Sequence, residues 1–248
     1  MLGIVGGVGP FAGIDLFKKI SEQTAAKTDQ EHLPVILFSF PGRIKDRTEY
    51  LEGKIKENPG LVLAEICIEL SKAGALIAGI PCNTAHSPEI FNCILDVLNK
   101  AGCSLKIVHM IAETIEYIKK VLPQKSAIGI LSTTGTYRQK IYYNKLIEAG
   151  YFPIVPDEDV QTELVHNSVY HPLYGIKTQS GKITEQAKMQ LFTVMDIIKK
   201  QGAQGIILGC SEISLAIPGI EYQGIRLIDP TEILAKAMIE EYMKSKGD

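Results

Sequence analysis

Apolar and polar positions alternate along this chain between two periods. The run "LGIV" (2–5) is short, continuous and bounded by glycine, so it predicts a buried strand. A helical pattern follows from Phe11 to Lys27. "VILFSF" (35–40) predicts a second strand. From Asn58 to Lys72 the apolar positions 61, 62, 66, 68 and 70 predict a helix. "ALIAGI" (75–80) predicts a third strand, Ser87 to about Asn99 a helix, and "LKIVHM" (105–110) a fourth strand. Strands alternating with helices predict a parallel, doubly wound sheet.

The pattern then starts again. Glu113–Val121 predicts a helix, "SAIGILS" (126–132) a strand, Tyr137–Ala149 a helix and "FPIV" (152–155) a strand. Thr184–Gln201 predicts a helix, followed by strands at "GIILG" (205–209) and "IRLID" (225–229). A last helix runs from Pro230 towards Lys244, with proline in its first turn.

Local sequence supports an internal duplication. "AGALIAGIPCNT" is similar to "QGAQGIILGCSE", and "LGIVGGVG" corresponds to "IGILSTTG". Gly74 to Cys82 spans 8 positions, as does Gly202 to Cys210. Gly3 to Cys82 spans 79 positions and Gly129 to Cys210 spans 81. The expected fold is therefore α/β, with two pseudo-symmetric, doubly wound parallel-sheet lobes. Residues 1–109 with 229–248 would form the first lobe, including a returning C-terminal helix, and 110–228 the second.

Composition narrows the partners. The 248 residues are 46% hydrophobic and 22% charged, ordinary values for a globular protein with a substantial core. A net charge of −2 with scattered Lys and Arg gives no pull on nucleic acid or an anionic membrane. The N-terminus has no positive n-region, and Ala73–Pro88 carries Pro81, Asn83, Thr84 and His86, so neither a signal peptide nor a span is expected. Five cysteines (67, 82, 93, 103 and 210) with no C-x-x-C pair argue against a disulfide framework or zinc ribbon and for reduced thiols in the cytoplasm.

Gly7, Gly9 and Ala12 have the G-x-G-x-x-A spacing of a dinucleotide-binding turn. Such a site also needs an acid at the end of the second strand to hold the ribose, and that strand ends Ser39-Phe40-Pro41. Two readings remain for the turn. It can be a tight turn that packs helix on strand, or its backbone N–H groups (Gly7, Val8, Gly9) can hold a smaller anion such as a carboxylate.

Cys82 in "GIPCNTAHSPEI" and Cys210 in "ILGCSEISLAIP" each end a buried-type strand, where open α/β sheets place ligands. Each precedes polar residues and a helical or turn segment that would favour a thiolate. One such cysteine is most simply a packing residue; a matched pair in duplicated lobes points to shared chemistry. Two opposed thiols suit racemisation, one taking a proton from a tetrahedral carbon as the other returns one to the opposite face. Backbone N–H groups around the substrate carboxylate would stabilise the carbanion. Cys67, Cys93 and Cys103 lack this setting and read as core or surface residues.

These motifs resemble the cofactor-independent aspartate/glutamate racemase family, and within it the aspartate racemase branch. "GGVGP", "DRTEYL", "IPCNTAH", "GILSTTGT", "VPDE", "GIKTQSG" and "LGCSEI" occur in the expected order over nearly the whole chain. The resemblance implies an active site in a cleft between two lobes, no pyridoxal phosphate or metal, a small amino-acid substrate and a homodimer. It implies that Cys82 and Cys210 are the two bases. Asn83, Thr84 and Ser211 would bind the α-carboxylate or amino group, with Thr133, Thr134 and Thr136 adding carboxylate contacts. Arg47 and Lys177 resemble the family's basic residues that meet the side-chain carboxylate. Glu212 would orient the substrate ammonium or cap the following helix, and His86 would tune Cys82 or bind backbone.

Three departures bear on substrate choice: Val8 where the family often has Met, Gly13 where it has Thr, and Ser211 where it commonly has Thr. The expected substrate is aspartate. Glutamate, a broader amino-acid range or a hydantoin are alternatives within the family. A non-catalytic amino-acid sensor or a Cys82–Cys210 redox switch is the alternative from another class.

Overall fold

A computed structural model describes residues 1–247. The chain divides into two compact units, residues 1–113 with the C-terminal stretch from Thr231, and residues 114–230.

The first unit is built on strands β1 (Leu2–Gly6), β2 (Val35–Ser39), β3 (Ile77–Gly79) and β4 (Lys106–Val108), in the order β2-β1-β3-β4. All pairs are parallel, with Leu2 opposite both Val35 and Ile77, and Ile77 opposite Lys106. Period-2 alternation divides the core into two faces. Leu2, Ile4 and Ile77 face a cluster with Leu16 and Ile20 of helix α1 (Pro10–Gln23). Leu234 and Met238, from the returning C-terminal helix, belong to the same cluster. Val5 and Ala78 face the opposite cluster, with Leu63, Ile66 and Leu70 and with Ile90 and Ile94. These come from two further helices, one over Gly60–Lys72 and one over Pro88–Lys100.

Between β2 and the first of these helices lies a short helix that periodicity does not reveal, α2 (Arg47–Leu51). Asp46 caps it, accepting from Glu49 N at 2.9 Å. In chain order the next helices are α3 (Gly60–Lys72), α4 (Pro88–Lys100) and α5 (Met110–Val121).

The second unit repeats the topology. Strands β5 (Ala127–Ser132), β6 (Phe152–Ile154), β7 (Gly205–Gly209), β8 (Glu221–Tyr222) and β9 (Ile225–Ile228) run in the order β6-β5-β7-β9-β8. Apart from β8, this is the 2-1-3-4 order of the first sheet. β8 pairs antiparallel with β9, so this sheet is parallel except at that edge. The expected helix over 137–149 is two helices, α6 (Thr134–Arg138) and α7 (Ile141–Glu148). The chain breaks between them because Lys140 is left-handed, at φ 52.

Residues 158–170 are helical where no strand or helix was read. α8 (Glu158–Val160) leads into a wider π turn (Gln161–His166) and then α9 (Asn167–Tyr170). α10 (Glu185–Lys200) is capped by the Thr184 hydroxyl, which accepts from Ala187 N at 3.2 Å. It packs so closely that a Cβ on Gly129 would lie 2.3 Å from Ile198 Cγ2. α11 (Ser211–Ala216) follows β7, and α12 (Pro230–Gly247) completes the chain.

In both sheets the chain leaves the first strand to one side and later returns to the other. The C-terminal ends of the first and third strands therefore flank the point where strand order reverses, the ligand position of open α/β sheets. In the first unit these ends lead to Gly7–Gly9 and Cys82; in the second, to Thr133–Thr136 and Cys210. Among the described residues no helix is long and apolar enough to cross a membrane.

Candidate active site

Cys82 follows β3 and begins the 3-10 turn Asn83–His86, with φ −146 and ψ 109. Cys210 follows β7 and begins α11, with φ −148 and ψ 133. The two residues share an extended backbone at the same step of the repeated fold. Both are buried, at 8% and 5% exposure. The Cys82 carbonyl accepts from Ala85 N at 3.2 Å, and the Cys210 carbonyl from Ile213 N at 2.9 Å. Each thiol thus sits at the N-terminal mouth of a helical turn, where backbone N–H groups point outward.

In the first unit the β1–α1 turn carries Gly7, Val8 and Gly9. Gly7 has φ 83, and a Cβ there would lie 2.8 Å from Phe40 N and Pro41 N. Glycine is required at this position because the end of β2 passes directly over it. Gly13 is also a contact residue: a Cβ there would meet Leu37 Cδ1 at 3.0 Å and Gly6 Cα at 3.3 Å. A hydroxyl-bearing side chain would press α1 away from β1.

Arg47 is held at this turn. Its Nη2 donates to the Val8 carbonyl at 2.7 Å and its Nη1 to the Lys45 carbonyl at 3.2 Å. α2 also packs against the Asn83–His86 turn. The fold thus gathers Gly7, Val8, Gly9, Arg47, Cys82, Asn83 and Thr84, which lie far apart in sequence. Asn83 and Thr84 are buried beside the thiol in the first turn.

His86 binds backbone. A carbonyl can only accept, so ring Nδ1 donates to the Cys82 carbonyl at 2.9 Å. Its ring stacks on Phe91 at 5.2 Å and lies 4.8 Å from His109. Burial, and next the neighbouring His109, push its pKa down to about 3, against the opposing effect of the Cys82 and Val108 carbonyls. The imidazole is neutral at physiological pH and fixes the backbone that carries the thiol.

In the second unit the Cys210 Sγ donates to Glu212 Oε2 at 3.1 Å, and Lys177 Nζ makes an ion pair with Glu212 Oε1. Lys177 comes from the turn Ile176–Thr178, which packs against α11. Burial pushes the Cys210 thiol well above its ordinary value, and the Glu212 carboxylate pushes further; the Lys177 ammonium opposes both. Burial alone would raise the Glu212 carboxyl, but the Lys177 ammonium, the Cys210 thiol and a backbone N–H together hold the group below its ordinary value. Glu212 is therefore a buried carboxylate with one oxygen serving each neighbour. Ser211 is buried between Cys210 and Glu212 in sequence.

The β5–α6 turn supplies the hydroxyls. Thr133 Oγ1 donates to Thr136 Oγ1 at 3.3 Å. Thr134 Oγ1 lies 3.0 Å from His166 Nδ1. Gln161 Nε2 donates to the Ser132 carbonyl at 3.0 Å. His166 stacks on Tyr170 at 4.9 Å, and the Tyr170 ring lies 6.0 Å from Lys177 Nζ. Gln161, His166 and Tyr170 thus join the predicted residues, and the sequence reading missed them. The "VPDE" capping signal before them was the available clue: Asp157 accepts from Val160 N at 2.9 Å and starts this helical stretch.

The other three cysteines lie on α3 and α4 or just after α4. Cys67 is buried in the α3 core, and burial, with Cys103 beside it, pushes its thiol up to about 12. Cys93 and Cys103 are half-buried, and all five cysteines are free thiols. Among the described residues no three His, Cys, Asp or Glu side chains are grouped to hold a metal ion.

The model of the Asp/Glu/hydantoin racemase family matches residues 5–238. The chain belongs to that family. Membership places it among the amino-acid racemases, which are isomerases. It is 24% identical over 247 residues to the broad specificity amino-acid racemase RacX of Bacillus subtilis, covering 98% of each chain. A glutamate racemase of Carboxydothermus hydrogenoformans is 25% identical over 134 residues, a match spanning 53% of this chain and only 47% of that relative. Among solved structures, the aspartate racemase of Picrophilus torridus superposes with a TM-score of 0.79 at 26% identity, over 97% of this chain and 93% of that one. A putative Asp/Glu racemase from Yersinia pestis superposes with a TM-score of 0.73 at 27% identity, over 98% of both.

Proposed function

We propose that the protein racemises aspartate without a cofactor, using Cys82 and Cys210 as its two bases. The observation that carries this reading is the matched setting of the two thiols. Each follows the third strand of a 2-1-3-4 sheet, at the strand-order reversal, with nearly the same backbone angles.

The chemistry requires both thiols to reach one Cα from opposite faces. In one direction Cys82, as thiolate, takes the Cα proton, and the thiol of Cys210 gives its own to the other face. The electron pair of the broken C–H bond passes through the carbanion into the new one. The reverse reaction exchanges the roles. The carbanion delocalises into the α-carboxylate, where outward N–H groups of Asn83, Thr84 and Ser211 and the hydroxyls of Thr133, Thr134 and Thr136 would stabilise the oxyanion. Gly7, Val8 and Gly9 would form the backbone wall beside Cys82.

A second reading within the family is a broader amino-acid range. It is favoured by the engagement of both cations expected to meet a side-chain carboxylate, Arg47 by the Val8 carbonyl and Lys177 by Glu212. The test is incubation of L- and D-aspartate, and then a panel of amino acids, with metal- and cofactor-free protein in D2O. Deuterium should enter Cα while optical rotation decays. Exchange with neutral amino acids at comparable rates selects the broad range, and no exchange with any amino acid defeats the proposal. The reading also includes a cytoplasmic homodimer, for which the five free thiols fit a reducing compartment and a scattering mass tests the dimer.

A further inference from the structure

Half-buried Lys177 and buried Glu212 form an ion pair beside Cys210, and their geometry differs from that of a substrate clamp. Both carboxylate oxygens of Glu212 are in use, Oε2 by the Cys210 S–H at 3.1 Å and Oε1 by the Lys177 ammonium. Lys177 is 22% exposed and Glu212 10%, so the pair is mostly removed from water. In such surroundings an ion pair acts more strongly on its neighbours than at the surface. The titratable groups facing Cys210 come from two packed elements: Glu212 of α11 and Lys177 of the Ile176–Thr178 turn. Tyr170, with His166 stacked on it, lies behind Lys177 on the preceding helix.

We infer that Glu212 and Lys177 are positioning residues for Cys210, fixing it as the protonated, acid partner of the resting enzyme. Lys177 then acts on the thiol through Glu212, and does not primarily bind the side-chain carboxylate of the substrate. The carboxylate orients the S–H and opposes loss of its proton. When Sγ gives that proton to the carbanion, two anions face each other, and the Lys177 charge offsets them. In the reverse direction Cys210 recovers the proton from Cα and again donates to Glu212. The pair therefore keeps Cys210 a thiol at rest without preventing its turn as thiolate.

The exchange of roles rests on the two-thiol reading above, but the test of the resting thiol does not. Thiolate absorbance near 240 nm is followed against pH in substrate-free protein, and the Cys210→Ser curve is subtracted to isolate Cys210. In a Glu212→Gln background the Cys210 titration should move down by about one pH unit or more. In Lys177→Met it should move up. Entry of the Cys210 signal into the accessible range only in Glu212→Gln is the same result. An unchanged or raised titration in Glu212→Gln, or no Cys210 signal there below about pH 10, overturns the inference.

Kinetics test the assignment of Lys177 separately. Lys177→Met should lower kcat for aspartate by about tenfold or more while KM stays within about threefold. A tenfold rise in KM with kcat kept would return Lys177 to the substrate side chain. If the protein racemises nothing, only this kinetic arm is lost, and that failure belongs to the proposed function.

Discussion

The Cys210 thiol donates a hydrogen bond to Glu212 across 3.1 Å, whereas Cys82 has no carboxylate two residues on. The two lobes repeat the backbone around their cysteines and differ in what stands behind them. In the first, His86 anchors the Cys82 carbonyl; in the second, Glu212 holds the Cys210 proton. A reaction whose two bases must differ in protonation at every instant is served by such an asymmetry.

Replacement of either cysteine should stop catalysis and spare the fold. Cys82→Ala and Cys210→Ala each remove a proton donor or acceptor, a loss of about 100-fold to 10,000-fold for one acid–base group. Far-ultraviolet circular dichroism should match the unmodified protein, because each side chain follows the end of its strand and Ala removes a single sulfur atom without touching the ladder hydrogen bonds of β3 or β7. Full racemisation by either variant would exclude the two-base reaction.

His86 should make the first lobe acid-sensitive. Its folded pKa is about 3 against an ordinary 6.5, so the folded form binds fewer protons than the unfolded chain between these values. Stability therefore rises with pH across this window, and is lost as pH falls from about 6.5 towards 3, by up to about 1.4 kcal/mol per unit. His86→Gln, which keeps a donor for the Cys82 carbonyl but does not titrate, should flatten this part of the urea-denaturation profile. An unchanged slope would mean that the ring is not held neutral.

Gly7 and Gly53 test whether a positive φ or a close approach limits the first lobe. Both are left-handed, at φ 83 and 73. Only Gly7 has backbone within reach, Phe40 N lying 2.8 Å from the Cβ position; Gly53 has nothing within 4 Å. Gly53→Ala should cost about 1 kcal/mol of conformational strain. Gly7→Ala should cost about 2–4 kcal/mol, because the end of β2 must also shift. Equal costs in chemical denaturation would mean that the β1–α1 turn does not depend on that approach.

The sequence reading reached the elements with strong periodicity and stopped where geometry came from distant partners. β1, β2, β5 and β7 follow from short apolar runs, and Cys82 and Cys210 from their repeated place after such runs. The helix over 137–149 has continuous apolar spacing, yet Lys140 at φ 52 divides it, and a one-residue left-handed break leaves no periodic trace. The 158–170 stretch was missed because its π turn runs off the 3.6-residue period. Lys177 and Glu212 were each named, but 35 residues separate them, and only the folded loop shows that they act on one another. His86 shows the same limit: its motif suggested either the thiol or the backbone, and the choice came from where Phe91 and His109 hold the ring.

Arg47 allows a last distinction, between a residue that binds substrate and one that builds the wall beside it. Its Nη2 fastens the Val8 carbonyl at 2.7 Å, and α2, on which it stands, packs against the Cys82 turn. Arg47→Ala leaves that carbonyl without this donor and frees the glycine turn, a stability loss of about 1–2 kcal/mol. If anchoring the turn is its whole role, kcat/KM should fall by a similar factor for aspartate and for any neutral amino acid the enzyme accepts. If the guanidinium also meets a side-chain carboxylate, aspartate should lose about 10-fold to 100-fold more than the neutral substrate, the cost of a missing charged hydrogen bond. Arg47→Lys sharpens the contrast. A single ammonium can keep one carbonyl but cannot bind a carboxylate bidentately, so stability should recover more fully than any aspartate preference. Recovery of both together would mean that a single positive charge at this position serves the carboxylate as well as the bidentate fork does.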